Sequence, residues 1–151
     1  MATARHNHIT KIEHTLHPDT FLYIGGTTSL HYTQKCNIDA IICLDDMQIR
    51  NIASMTDPLI ISLSVPDNVA LDINTTRQHF FEAAVLVHEL LTSGLNTLIC
   101  CYTSVHESPI AAGYYLKLFE KMDPDRIIKT LKAEHPQFEP TIIGLQLICE
   151  N

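Results

Sequence analysis

The sequence predicts an α/β fold: one domain with a central mixed or parallel sheet flanked by helices. Three observations carry that expectation. Short apolar runs without alternation, such as Ile38–Leu44 (IDAIICL), suit parallel strands buried on both faces. They are followed by a segment with helical periodicity from Asp72 to Leu91. Residues Thr97–Pro109 (TLICCYTSVHESP) then join an apolar run to a polar loop and a helix-start signal. Strands alternating with helices imply a layered sheet with helices packed on its faces.

Along the chain, residues 1–7 read as a flexible tail and 8–151 as the single domain. His8–Leu16 alternates weakly through Ile9, Ile12 and Leu16, as an edge strand would. His17-Pro18-Asp19 is a turn signal. Phe21–Ile24 is rich in β-forming residues and stops at Gly25-Gly26. A polar helix is expected over Thr28–Lys35, with Leu30 and Tyr32 turned inward. Ile38–Leu44 ends at Asp45-Asp46, and Asp57-Pro58 marks a turn before the next strand, Leu59–Val65. Pro66-Asp67-Asn68 closes that strand and opens a loop.

In the first long helix, Ile73, Phe80, Phe81, Ala84, Val87, His88 and Leu91 recur at three- and four-residue steps, between an Asp72 N-cap and a terminating Gly94. The strand Thr97–Cys101 follows. Ser108 as N-cap with Pro109 at the first helical position opens a helix to about Lys121. Asp123-Pro124 starts another over Asp125–Glu134, with Ile127, Ile128 and Leu131 on one face, broken at His135-Pro136. A last helix, Thr141–Cys149, is expected to turn Ile142, Leu145 and Ile148 inward. Tyr114, Tyr115, Phe80 and Phe81 read as core and surface aromatics.

Composition narrows the function. With 151 residues, 46% of them apolar, the chain can bury a sizeable core. A net charge of −7 argues against a nucleic-acid footprint, and no apolar run is long enough for a membrane span. The polar N-terminus lacks a leader's apolar core, so the expected location is cytoplasmic or nuclear. Five cysteines (Cys36, Cys43, Cys100, Cys101 and Cys149) are an odd count without C-x-x-C spacing, which argues against a disulfide framework. His6 and His8 form an H-x-H with no further ligand at metal spacing, so no metal and no cofactor are expected.

In Thr97–Pro109, Cys101 ends a strand before a loop and a helix N-terminus, where backbone amides form an anion nest and depress a thiol's pKa. The segment resembles the signature loop of the dual-specificity branch of the cysteine phosphatases, His-Cys-x5-Arg-Ser/Thr. The order of the remaining strands and helices, from about Ile9 to Ile148, is similar to the atypical single-domain members. The resemblance implies a protein tyrosine phosphatase-like fold. It implies a nucleophile position at Cys101, a loop hydroxyl at Ser108 and a general-acid position at Asp67. Between them, Tyr102, Thr103, Ser104, Val105, His106 and Glu107 form the loop, and Cys100 precedes it.

The loop departs from that pattern three times. Cys100 replaces His, Ser104 replaces Gly, and Glu107 replaces the Arg that grips phosphate oxygens bidentately. A unit-charge pair at about 4 Å and an effective dielectric near 20 is worth on the order of 4 kcal/mol. Exchanging attraction for repulsion against a dianion is then a swing of roughly 10 kcal/mol as an upper bound. Ser104 costs roughly 1 kcal/mol if the loop needs positive φ there. His106, one residue before the arginine position, is a minor route to residual anion binding at low pH.

The expectation is therefore a degenerate, pseudophosphatase-like protein. It would bind a protein partner — a phosphoprotein, a kinase, an active phosphatase or a second copy of this chain. Glu107 either folds into the nest as a built-in anion or points to solvent. Cys101 and Asp67 also have bland readings, as a packed small residue and an ordinary turn. Two alternatives stand. One is a weakly active protein tyrosine/serine/threonine phosphatase that uses Cys101; the other is a thiol redox pair of Cys100 and Cys101, whose adjacent-residue ring is strained.

Overall fold

The computed structural model describes residues 9–26, 36–44, 58–63, 72–101 and 107–150. Five strands and four helices are defined: β1 (Thr10–Ile12), β2 (Leu22–Gly25), β3 (Ala40–Cys43), β4 (Leu59–Ser62), α1 (Ile73–Thr92), β5 (Thr97–Cys100), α2 (Glu107–Leu118), α3 (Pro124–Glu134) and α4 (Ile142–Cys149). The tail 1–7, the helix expected at Thr28–Lys35, the Asp45-Asp46 stop, the Pro66–Asn68 loop with Asp67, and Tyr102, Thr103, Ser104, Val105 and His106 lie outside the described residues.

The strands form one mixed sheet in the order β1-β2-β5-β3-β4. β1 runs antiparallel to β2, while β2–β5, β5–β3 and β3–β4 pair in parallel. Every residue of β2, β3 and β5 is buried, as the unbroken apolar runs predict for interior strands. β4 lies at the edge, and Leu59 is 52% exposed there. Thr97 anchors the start of β5: its amide donates to the Phe21 carbonyl at 2.9 Å.

Alternation along β5 divides the interior. Ile99 and Cys101 join the larger cluster with the side chains of the four helices. Leu98 and Cys100 face the other way, with Tyr23, Ile38, Ile41 and Cys43. All four helices therefore pack on one sheet face. α2 is the central one, with every residue from Ser108 to Leu116 buried. Helix α4 approaches it through Gly144, where a Cβ would come within 2.7 Å of Ile110 Cδ1. Among the described residues, no helix is long and apolar enough to cross a membrane.

The helix boundaries follow their capping chemistry. Asp72 caps α1, its carboxylate accepting from the Thr75 amide and hydroxyl at 2.9 Å each, and Gly94 follows the helix at φ +82°. Asp123 and Thr141 cap α3 and α4 through the Asp125 and Gly144 amides. Phe80 is buried and Phe81 is 44% exposed, one core and one surface aromatic. Two local expectations are corrected. Ile142 is 85% exposed, because α4 turns Gly144, Leu147 and Ile148 to the core instead. Ser108 lies inside the first turn of α2 rather than flanking it, because its hydroxyl is committed to Cys101.

Candidate functional site

The carboxyl ends of β2, β5 and β3 are level: Cys100 is in register with both Gly25 and Cys43. The ladder continues past β5. The Leu44 amide donates to the Cys100 carbonyl at 2.9 Å, and the Cys101 amide donates to the Gly25 carbonyl at 3.2 Å. Cys101 is thus fixed at the carboxyl edge of the central strand, where open α/β sheets carry their sites. Its side chain is 1% exposed and points to the helical face.

Two groups of α2 address the sulfur. Ser108 Oγ lies 3.2 Å from Cys101 Sγ, the thiol donating to it, and the Ser108 amide donates to Sγ at 3.4 Å. If the thiol ionises, the hydroxyl can reverse and donate as well, so both contacts favour thiolate. The aligned peptides of α2 add the partial positive charge of a helix N-terminus. The sequence reading brought Cys101 and Ser108 to one loop, and the structure brings their reactive atoms into contact.

Glu107 is the first residue of α2, half-buried, immediately before Ser108. A carboxylate in a helix's first turn is favourable because it answers the N-terminal charge internally. Cys100 does not join the site. Its side chain is fully buried on the opposite sheet face, and Sγ lies 3.8 Å from the Cys101 carbonyl oxygen. None of the five cysteines is disulfide-bonded.

The same arrangement of strands and helices recurs among solved proteins. The human tyrosine phosphatase-like serine/threonine/tyrosine-interacting protein superposes with a TM-score of 0.74 at 16% identity, covering 94% of this chain and 93% of that one. DUSP15 gives 0.73 at 20% identity, over 94% and 85%. Human DUSP28 gives 0.70 at 13% identity, over 92% and 90%. The fold is that of the dual-specificity phosphatases. No protein-family profile matches the sequence, and no curated protein matches it. The likeness to dual-specificity phosphatases is therefore one of architecture, with side chains replaced almost throughout.

At the far end of α2 this version of the dual-specificity phosphatase fold carries a polar cluster that the sequence reading missed. Glu120, two residues past α2, has a side chain only 1% exposed. It accepts from the Thr15 amide at 2.7 Å, the Thr15 hydroxyl at 3.3 Å and the Tyr115 hydroxyl at 2.9 Å, with His14 Nδ1 at 3.5 Å. Burial by itself would raise its pKa. The contacts from His14, Thr15 and Tyr115 outweigh it and bring the carboxyl down to about 2. Tyr115 is pushed well above the phenol range, first by burial and then by the Glu120 charge. One signal was present: a carboxylate at a helix C-terminus opposes the dipole and needs donors from elsewhere. Those donors come from Thr15, over 100 residues away in sequence, with His14 beside it.

Proposed function

We propose that this chain is a catalytically inactive homologue of the dual-specificity phosphatases that works by binding a protein. The observation that carries the proposal is Glu107. It puts a carboxylate in the first turn of α2, next to the Ser108 amide that touches Cys101 Sγ. Phosphate binding by such a loop needs the helix's positive end and a cationic fork. Here the first turn carries an acidic residue, and the resemblance assigns the fork's position to a side chain that accepts rather than donates.

An empty or self-filled anion nest leaves the scaffold intact. The contacts of Cys101 with Ser108 then serve packing: the thiol acts as a small apolar group and its weak hydrogen bond is satisfied. A neighbour of the same fold named as phosphatase-like and as an interacting protein supports a role in association. The partner classes are a phosphoprotein, a kinase, an active phosphatase or a second copy of this chain. Residence in the cytoplasm or nucleus belongs to the same proposal.

The alternative of a weakly active phosphatase draws on the Ser108 contacts, which suit a thiolate at Cys101. The redox-pair alternative is disfavoured, because Cys100 and Cys101 lie in separate clusters on opposite sheet faces.

Titration with inorganic phosphate tests the inactive reading. The wild-type chain is expected to show no saturable binding at millimolar phosphate, and Glu107→Arg combined with Ser104→Gly is expected to gain it. Saturable binding by the wild type that disappears in Ser108→Ala would contradict the reading. Sedimentation of the purified chain separates the self-association form of the proposal from the others.

A further inference from the structure

The segment between β1 and β2 is fastened across the ends of three helices. The Glu13 amide donates to Glu134 Oε2 of α3 at 3.4 Å. The Thr15 amide and hydroxyl hold Glu120 just past α2. The His17 ring lies against His88 of α1, with centroids 5.4 Å apart, and His14 stands 6.5 Å from His17. The His88 ring is itself stacked on Phe119 at 4.3 Å. Three imidazoles therefore meet at the pole opposite Cys101.

Among the described residues, Glu120 is the carboxylate that acts on His17. Glu120 faces His14 directly, and its oxygens are already engaged by Thr15 and Tyr115. His14 Nδ1, His17 Nε2 and His88 Nδ1 are shielded from solvent and form no hydrogen bond among the described residues, His14 Nδ1 standing 3.5 Å from Glu120. No group of three or more His, Cys, Asp or Glu among those residues is disposed to hold a metal ion. A neutral ring tolerates an unpaired nitrogen at modest cost, whereas a charged His17 ring would face the His88 and His14 rings while the Glu120 oxygens are engaged by Thr15 and Tyr115.

We infer that the His17 ring, packed against His88 with His14 nearby, is a proton-operated latch, in which its protonation at mildly acidic pH releases the Glu13–Thr20 segment from the helix ends while the sheet stays folded. The groups acting on His17 are His88 from α1, His14 from its own segment and Glu120 from beyond α2; Glu134 of α3 holds the segment at Glu13. The sign follows from linkage. Burial first, then His88 and His14, hold docked His17 below its usual 6.5, against the opposing pull of Glu120. The released segment therefore binds more protons than the docked one. The latch is intact above pH 6.5 and weakens as pH falls through that value.

Hydrogen exchange of the full chain, corrected for the intrinsic pH dependence of amide exchange, reads the latch directly. Between pH 7.5 and 5.5 the opening of residues 13–20 is expected to rise, with about tenfold as the upper limit for one titrating ring. Amides of Thr97–Cys100 in β5 are expected to stay unchanged. His17→Asn and, separately, His88→Asn should each cut the pH-dependent rise to about twofold or less. A proton-NMR titration of the wild-type His17 ring gives a readout free of substitution, with a midpoint expected below 6.5. A midpoint at or above 6.5, a wild-type opening that does not change with pH, or a rise that persists in both variants overturns the latch. A rise of the same size in β5 also overturns it, since that reports global unfolding.

Discussion

Helix α2 has a glutamate at each end, and the two have opposite fates. Glu107 opens the helix, half-buried beside the Cys101–Ser108 contact. Glu120 lies just past the other end, buried, with donors from Thr15 and Tyr115 and with His14 beside it. The helix charge favours a carboxylate at the first end and opposes it at the second. Yet the unfavourable end is the one built up with tertiary contacts. Position on a helix sets a small bias of a few tenths to about 1 kcal/mol, and dedicated donors override it. The comparison separates two environments: the Glu120 pole ties distant parts of the chain together, and the Glu107 pole lies beside the Cys101–Ser108 contact.

Removing Glu120 should have the largest effect on stability. Its carboxyl is held at about 2 against an ordinary 4.5, a difference worth on the order of 3 kcal/mol. Glu120→Ala should lower the urea unfolding free energy by about that amount. Because the folded value is depressed, this stability is present above pH 4.5 and drains away as pH falls toward 2. Acid titration of the unfolding free energy should lose that component in Glu120→Gln. Stability unchanged by either variant would erase the contrast between the poles.

Next comes Gly144→Ala. The new Cβ would sit 2.7 and 2.8 Å from Ile110 side-chain carbons, so α4 must shift or Ile110 must leave its rotamer. Overpacking of this kind costs about 1–3 kcal/mol, and it disturbs the first turns of α2 near Ser108. Thermal unfolding checks the size. At the Glu107 pole the effects should be smaller. Ser108→Ala should cost about 1 kcal/mol, the net worth of a buried hydrogen bond. Glu107→Ala should cost less than about 1 kcal/mol, the scale of a helix-end charge. A loss at Glu107 as large as that at Glu120 would show that Glu107 is a structural anion of equal standing.

Much of the fold was legible because its interior elements are locally consistent. The runs of β3 and β5 are apolar without alternation, and both strands are buried throughout. Asp72, Asp123 and Thr141 stand where capping rules put them. The misreading at Ile142 has a plain cause: α4 carries more apolar residues than its buried stripe uses, so periodicity alone does not choose the face. At the site, the strand–loop–helix order put Cys101 and Ser108 in one turn, but only the fold shows the hydroxyl and amide meeting the sulfur. The Glu120 cluster was illegible for a different reason. Its members join residues 14, 15, 115 and 120, and no local pattern links the start of the chain to the end of α2.

Hydrolysis of a small aryl phosphate and of a phosphotyrosine peptide tests the central claim most directly. Wild type, Cys101→Ser and the double substitution Glu107→Arg with Ser104→Gly are compared side by side. A silent wild type, with turnover in the double variant that disappears when Cys101→Ser is added, is the predicted result. It would mean that the scaffold around Cys101 is sound and that Glu107 and Ser104 hold it inactive. Wild-type turnover abolished by Cys101→Ser would contradict the claim.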